Sequence, residues 1–230
     1  MTLVEEGKLS LDAPLSTHIP EMARTKVGEI TLRQLLSFTS GLVADEQVPA
    51  MEDPALTLRE SARAILAKGV VHPPGDAFRY GSQHLEVAAA LAEIVSGQTF
   101  QELFLSRIAT PLGMTKTAFL HIGDPGRRDV THPKPAGSAI STLGDYGRFL
   151  EMIVHDGVAP TGTRILRTAT IAEMQRNHTE GVRYASAAAF RVQERAPYGL
   201  GEWLDWTFPD GRAMVLSSDG SFGFRPWIDR

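Results

Sequence analysis

The chain has 230 residues, with 23 Lys and Arg against 27 Asp and Glu, a net charge of −4 and no cysteine. The missing cysteines exclude disulfides, thiolate metal sites, iron–sulfur ligation and a cysteine nucleophile. The slight acidity argues against non-specific nucleic-acid binding, which needs a basic surface, and no run approaches the roughly 20 apolar residues of a membrane span.

Met1 to Gly7 reads as the end of a helix, with Leu3 and Val4 apolar and Gly7 as its stop. It has no N-cap, and so short a helix is marginal alone. The biological chain is therefore expected to begin further upstream. No basic stretch followed by an apolar core opens the chain, which leaves the compartment unread.

From residue 31 to about 177 the pattern is mostly helical, with apolar residues three and four apart. Thr31-Leu-Arg-Gln34, Thr57-Leu-Arg-Glu60 and Thr99-Phe-Gln-Glu102 have the spacing of capping boxes. The first leads to a stop at Ser40-Gly41, the second to Gly69, and the third to a break at Pro111. Ser82 is expected to precede a helix closed by Gly97, Thr142 to open one closed by Gly157, and a shorter helix to cover 168–176. Residues 41–56 and 120–138 read as surface loops.

The tail changes character. Tyr198 to Trp206 and Gly211 to Ser217 read as strands joined through an Asp210-Gly211 turn, and Phe222 to Asp229 as a third. Three short strands cannot bury their faces alone. Their partners are expected from outside the chain or from its first thirty residues. The fold class is α+β: one domain over 1–230, mainly helical over about 10–180, with antiparallel strands over about 190–230.

Walker A, His-Glu-x-x-His, Gly-x-Ser-x-Gly and GxGxxG after a strand are all absent. The seven histidines have no metal-ligand spacing. His18, His121 and His132 read as exposed loop residues. Trp203, Trp206 and Trp227 read as core or pocket wall, and Arg127-Arg128 as a solvated pair.

One succession carries more. It runs from Leu3-Val-Glu-Glu-Gly-Lys-Leu-Ser-Leu-Asp12 through Thr31-Leu-Arg-Gln-Leu-Leu-Ser-Phe-Thr-Ser-Gly41 to Val71-His-Pro-Pro-Gly-Asp-Ala-Phe-Arg-Tyr80-Gly-Ser82. Pro111-Leu-Gly-Met114, Ser141-Thr142, Asp145-Tyr146, Tyr198-Gly-Leu-Gly201 and Asp219-Gly220-Ser-Phe-Gly223 follow. In order and spacing it resembles the serine β-lactamase and penicillin-binding-protein superfamily, and looks closest to its class C-like branch with the family VIII carboxylesterases. The resemblance covers nearly the whole chain.

That resemblance implies a serine nucleophile in a Ser-x-x-Lys motif, both on one helix face, a tyrosine that relays protons, and a third motif on a strand flanking the pocket. Ser-x-x-Lys is absent. The residues three before Lys8, Lys26, Lys68, Lys116 and Lys134 are Glu5, Ala23, Ile65, Gly113 and Thr131. By the family's pattern the nucleophile lies upstream of Met1, so the chain is expected to be truncated there, and also at its C-terminal end.

Tyr80 matches the catalytic tyrosine. Ser82 stands where Asn is commoner. Ser218-Asp219-Gly220 falls at the third motif, with Gly220 and Ser221 suited to the backbone role of the oxyanion hole. Asp219 replaces the usual cation or His and would repel a substrate carboxylate, which favours a neutral ester over a β-lactam. The expected partner is a small ester or amide, with no nucleic acid, no cofactor and no metal. The reading from a different class is a non-catalytic module that binds a ligand or partner through a degenerate pocket.

Overall fold

In the computed structural model the first helix, α1 (Thr2–Glu5), stops at Gly7 with φ +70°. The structure describes residues 1–44, 48–120, 132–186, 197–220 and 224–230. Thr31 and Thr57 close full capping boxes on α2 (Leu32–Leu36) and α3 (Leu58–Ala67). In each, the threonine side chain accepts from the amide three residues on, and the Gln or Glu there reaches back to the threonine N–H. The next helix, α4 (Ser82–Ser96), ends at Gly97 with φ +72°. Its N-cap is Gly81, without a side-chain cap, so Ser82 is the first helical residue and does not precede the helix.

Thr99 closes a third box on α5 (Phe100–Phe104). This helix does not break at Pro111. It continues through a π-helical turn (Leu105–Ala109) into α6 (Thr110–Leu112) and stops at Gly113, φ +68°. Pro111 lies in the first turn of α6, where a missing N–H is tolerated. Thr142 caps α7 (Leu143–Val154) by accepting from the Asp145 amide, and α8 spans Thr168–Met174.

Strands β1 (Ala77–Arg79), β2 (Ala118–Phe119), β3 (Ala139–Ile140) and β4 (Arg183–Ser186) form two pairs: β1 with β4, parallel, and β2 with β3, antiparallel. Neither pair is announced by alternation, because two to four residues are too few to show a period. The predicted tail sheet forms as β5 (Trp203–Thr207), β6 (Ala213–Ser217) and β7 (Trp227–Asp229), in that order and antiparallel. Its strands are shorter than expected. Residues 198–202 form a turn, with Gly201 at φ +98° and the Gly199 amide donating to the Glu202 carbonyl at 2.8 Å. Pro226 cannot donate to a ladder, and β7 begins after it. The first thirty residues add no strand to this sheet; they hold α1 and three short 3₁₀ turns.

The core has three parts. One gathers Leu35, Leu58, Ile65 and Leu91 from α2, α3 and α4. A second gathers Leu112, Met152, Ile171, Leu204, Leu216 and Ile228 from α6, α7, α8 and the tail sheet. The third is aromatic: Phe38, Phe78, Tyr198 and Trp203. Met1 and Met174 pack against both aliphatic clusters.

His132 corrects the loop reading. It is 1 % exposed, with Nε2 2.6 Å from a Glu86 carboxylate oxygen and Nδ1 3.0 Å from the Asp53 carbonyl. Ser61 donates to the same Glu86 oxygen at 2.6 Å. His18 is half-buried, while His121, Arg127 and Arg128 lie outside the described residues. Trp203 is core and Trp227, though exposed, is a pocket wall, both as expected, whereas Trp206 is exposed and does not line that pocket.

Candidate functional site

Tyr80 owes its position to a backbone ladder. The Arg79 amide donates to the Phe38 carbonyl at 2.8 Å, Gly75 to Thr39 at 2.7 Å, and Val71 to Gly41 at 2.8 Å. The 71–79 segment therefore runs beside the turn at 38–41 and delivers Tyr80 to the start of α4. Two glycines permit this closeness. A Cβ on Gly41, whose φ is +79°, would sit 2.2 Å from the His72 carbonyl oxygen, and one on Gly81 would sit 2.7 Å from the Ala44 Cβ.

The Tyr80 ring is half-buried. It packs on Phe38 at 4.6 Å between centroids and lies nearly parallel to Trp203, 5.7 Å away at 16°. Trp203 on β5 is the register partner of Ser217 on β6. Tyr80 is thus two contacts from Ser217, and Ser218-Asp219-Gly220 follows directly where β6 ends.

The other sequence candidates divide. Ser82 and Ser218 are exposed, and Asp219 is half-buried. The Ser218 amide donates to the Pro226 carbonyl at 3.2 Å and the Gly220 amide to the Phe224 carbonyl at 2.8 Å. Gly220's own N–H is therefore engaged within the turn. A Cβ on Gly220 would make ordinary contacts, the nearest at 3.4 Å, so packing does not require glycine there. Ser221 lies outside the described residues.

Beside the end of β6 is a cavity of about 300 Å³, walled by α7, the 200–202 turn, β6 and the start of β7. Ser217 and Ser218 line it, together with Tyr146, Trp227 and Glu202. Burial pushes the Glu202 carboxyl up to about 7, against the pull of Arg230, and its Oε1 is sealed from solvent without a hydrogen-bond partner. Burial, reinforced by the charge of Glu202, pushes the Tyr146 phenol up to about 12. The sequence reading missed Glu202. Its signal was an acidic residue set between Gly201 and Trp203 in an otherwise apolar and glycine run.

Asp145, next to Tyr146, serves structure. It is buried, accepts from the Lys116 amide at 2.6 Å and Thr117 Oγ1 at 3.0 Å, and ties the chain after α6 to the start of α7. His84 is also buried, with Nδ1 2.8 Å from Ser40 Oγ, and burial lowers its pKa to about 4. The described residues hold no group of three or more His, Cys, Asp or Glu able to bind a metal. No helix among them is long and apolar enough to cross a membrane.

The family profile described as Beta-lactamase matches residues 1–223. The chain belongs to this family. Among curated beta-lactamase-family relatives, Penicillin-binding protein 4 of Amycolatopsis lactamdurans is 30% identical over 208 residues, covering 76% of this chain and 52% of that protein. The chain spans about half the length of the curated relatives it matches.

Among solved structures, a Bacteroides dorei DSM 17855 protein provisionally called a beta-lactamase superposes with a TM-score of 0.83 at 34% identity, over 99% of this chain and 68% of that one. EstCE1, described as a hydrolase with promiscuous acyltransferase activity, superposes at 0.75 over 99% of this chain and 72% of its own. At 20% identity it shows the shared fold alone. The α+β architecture is thus that of the beta-lactamase-like fold.

Proposed function

We propose that this chain carries the tyrosine-and-strand side of a serine acyl-transfer site acting on ester or amide carbonyls. The observation that carries the reading is the stack of Tyr80 on Trp203, whose strand partner Ser217 leads into Ser218-Asp219-Gly220. It sets a phenol at a helix start beside the end of a strand, the two walls between which an acyl group is held in this family.

In this reading the Tyr80 hydroxyl passes a proton between the attacking serine and the leaving group. The Ser221 amide takes the oxyanion role, since the Gly220 amide donates to Phe224. Ser82 and Ser218 offer hydroxyls at the rim. Asp219 sets the preference for a neutral ester or amide over a substrate with a carboxylate, which suits the esterase side of the family and its class C-like branch.

The serine and its lysine come from outside these 230 residues, which hold no Ser-x-x-Lys. In this reading Tyr80 works with that serine and lysine, so the 230 residues by themselves lack the nucleophile it would serve.

Two measurements test this. The 230-residue chain mixed with p-nitrophenyl acetate is expected to give no stoichiometric burst, and a burst overturns the reading. Translation of the reading frame ahead of Met1 is expected to show an in-frame Ser-x-x-Lys; without one, the non-catalytic binding module takes its place. In the chain so extended, Tyr80→Phe is expected to lower kcat by about 10²- to 10⁴-fold, the range for loss of a general acid–base.

A further inference from the structure

The cavity beside β6 is one-sided in charge. Among the described residues, Glu202 is its only acidic lining residue, and no Lys, Arg or His lines it. Arg230 attracts Glu202 electrostatically, but its guanidinium is engaged elsewhere, 3.0 Å from the Ile153 carbonyl and 3.5 Å from Asp156. Most of the remaining wall is apolar or aromatic: Phe149, Leu150, Met174, Trp227 and the ring of Tyr146.

A carboxylate taken out of water costs free energy that a cation lodged beside it can return. Aromatic walls beside it favour a cation further. About 300 Å³ lies at the small end of ligand pockets and suits a single benzyl- or isobutyl-sized group.

We propose that this cavity is the subsite for an apolar, ammonium-bearing group of the substrate, with Glu202 as its counter-ion and Trp227 and Tyr146 as aromatic walls. The assignment rests on the acyl-transfer reading, because Ser217 and Ser218 line both this cavity and the proposed site. It narrows the substrate class to esters or amides that carry an amine, and it disfavours groups bearing a carboxylate, which Glu202 repels.

Binding tests the subsite without chemistry. At pH 8, where Glu202 is ionised, the ¹⁵N-labelled 230-residue chain is titrated with benzylammonium chloride, benzyl alcohol and phenylacetate, following the Trp227 indole N–H, identified through Trp227→Phe. Benzylammonium is expected to shift that resonance and to bind about tenfold more tightly than benzyl alcohol, which a cation paired with a carboxylate and aromatic walls supplies. Phenylacetate is expected not to bind.

Glu202→Gln is expected to bring the two neutral-to-cation affinities within about twofold, and Leu150→Trp, which fills the cavity, to abolish binding of both. Equal affinities in the unaltered chain, a preference that survives Glu202→Gln, or no shift at Trp227 overturns the proposal. Binding of benzylammonium with no turnover by the extended chain removes the acyl-transfer reading alone. Turnover of neutral esters with no cation preference removes the subsite alone.

Discussion

Phe38 holds a left-handed backbone, φ +56°, while 1 % exposed. Such a conformation costs a non-glycine residue roughly 1–2 kcal/mol and persists because its surroundings impose it. Here the imposing groups are the rings of Phe78, Tyr80, His84 and Tyr198, all within 6.1 Å of its centroid. The same residue that is strained is the one on which Tyr80 rests. Glu202 is the second residue whose environment works against it. Its carboxyl is raised from 4.5 to about 7, so folding favours the protonated form. The cost of its charge is absent below about pH 4.5, grows as pH rises through 7 and is complete above it. By the usual conversion the full cost is roughly 3–4 kcal/mol. Glu202→Gln is therefore expected to match the unaltered chain in urea melts at pH 4.5 and to exceed it by about that amount at pH 8. Equal stability at both pH values would contradict the burial argument.

At the scale of elements, the helix starts were readable because a capping box is a local device. Thr57 and Glu60 satisfy each other's backbone across three residues, whatever packs on the helix afterwards. Thr57→Ala is expected to cost about 1 kcal/mol in chemical denaturation, and a loss below 0.3 kcal/mol would mean that α3 is held by packing alone. The segment after residue 131 was not readable in this way. His132 faces a carbonyl on one ring nitrogen and a carboxylate oxygen on the other, an arrangement that asks for a proton on both. Burial works against that charge, but the hydrogen bonds to Glu86 and to Asp53 outweigh it and raise the His132 pKa. With a raised histidine the stabilisation is complete below the unfolded value of about 6.5 and is lost as pH climbs through the folded value. His132→Asn is expected to cost about 2–3 kcal/mol at pH 6 and clearly less at pH 9. A pH-independent difference would show that the ring is held by shape rather than by charge.

Across the whole molecule, distant segments meet at a few charged and aromatic joints. Arg33 on α2 bonds Asp12 at 2.6 and 2.8 Å and also pairs with Glu173 on α8, 140 residues away. The tail sheet is less covered. Trp206 is 69 % exposed on β5, which has β6 on one side and no further strand in that sheet among the described residues. An exposed apolar edge invites pairing between copies, and if the chain self-associates through it, Trp206→Lys is expected to shift the sedimentation-velocity distribution toward the monomer. An unchanged distribution would place any self-association elsewhere. By itself the sequence determined what local chemistry and motif order can carry: the capped helices, the tail hairpin, the family, Tyr80 at a helix start, and the lack of Ser-x-x-Lys. These depend on residues a few positions apart, or on identity alone. Only the tertiary structure decided that Tyr80 stacks on Trp203, that β1 pairs with β4, that His132 is buried against Glu86, and that Glu202 lines a cavity without a partner. Each of those depends on segments 46 to 123 residues apart in the chain, or on burial that a residue's neighbours in sequence do not dictate, because close packing is settled by the whole fold at once.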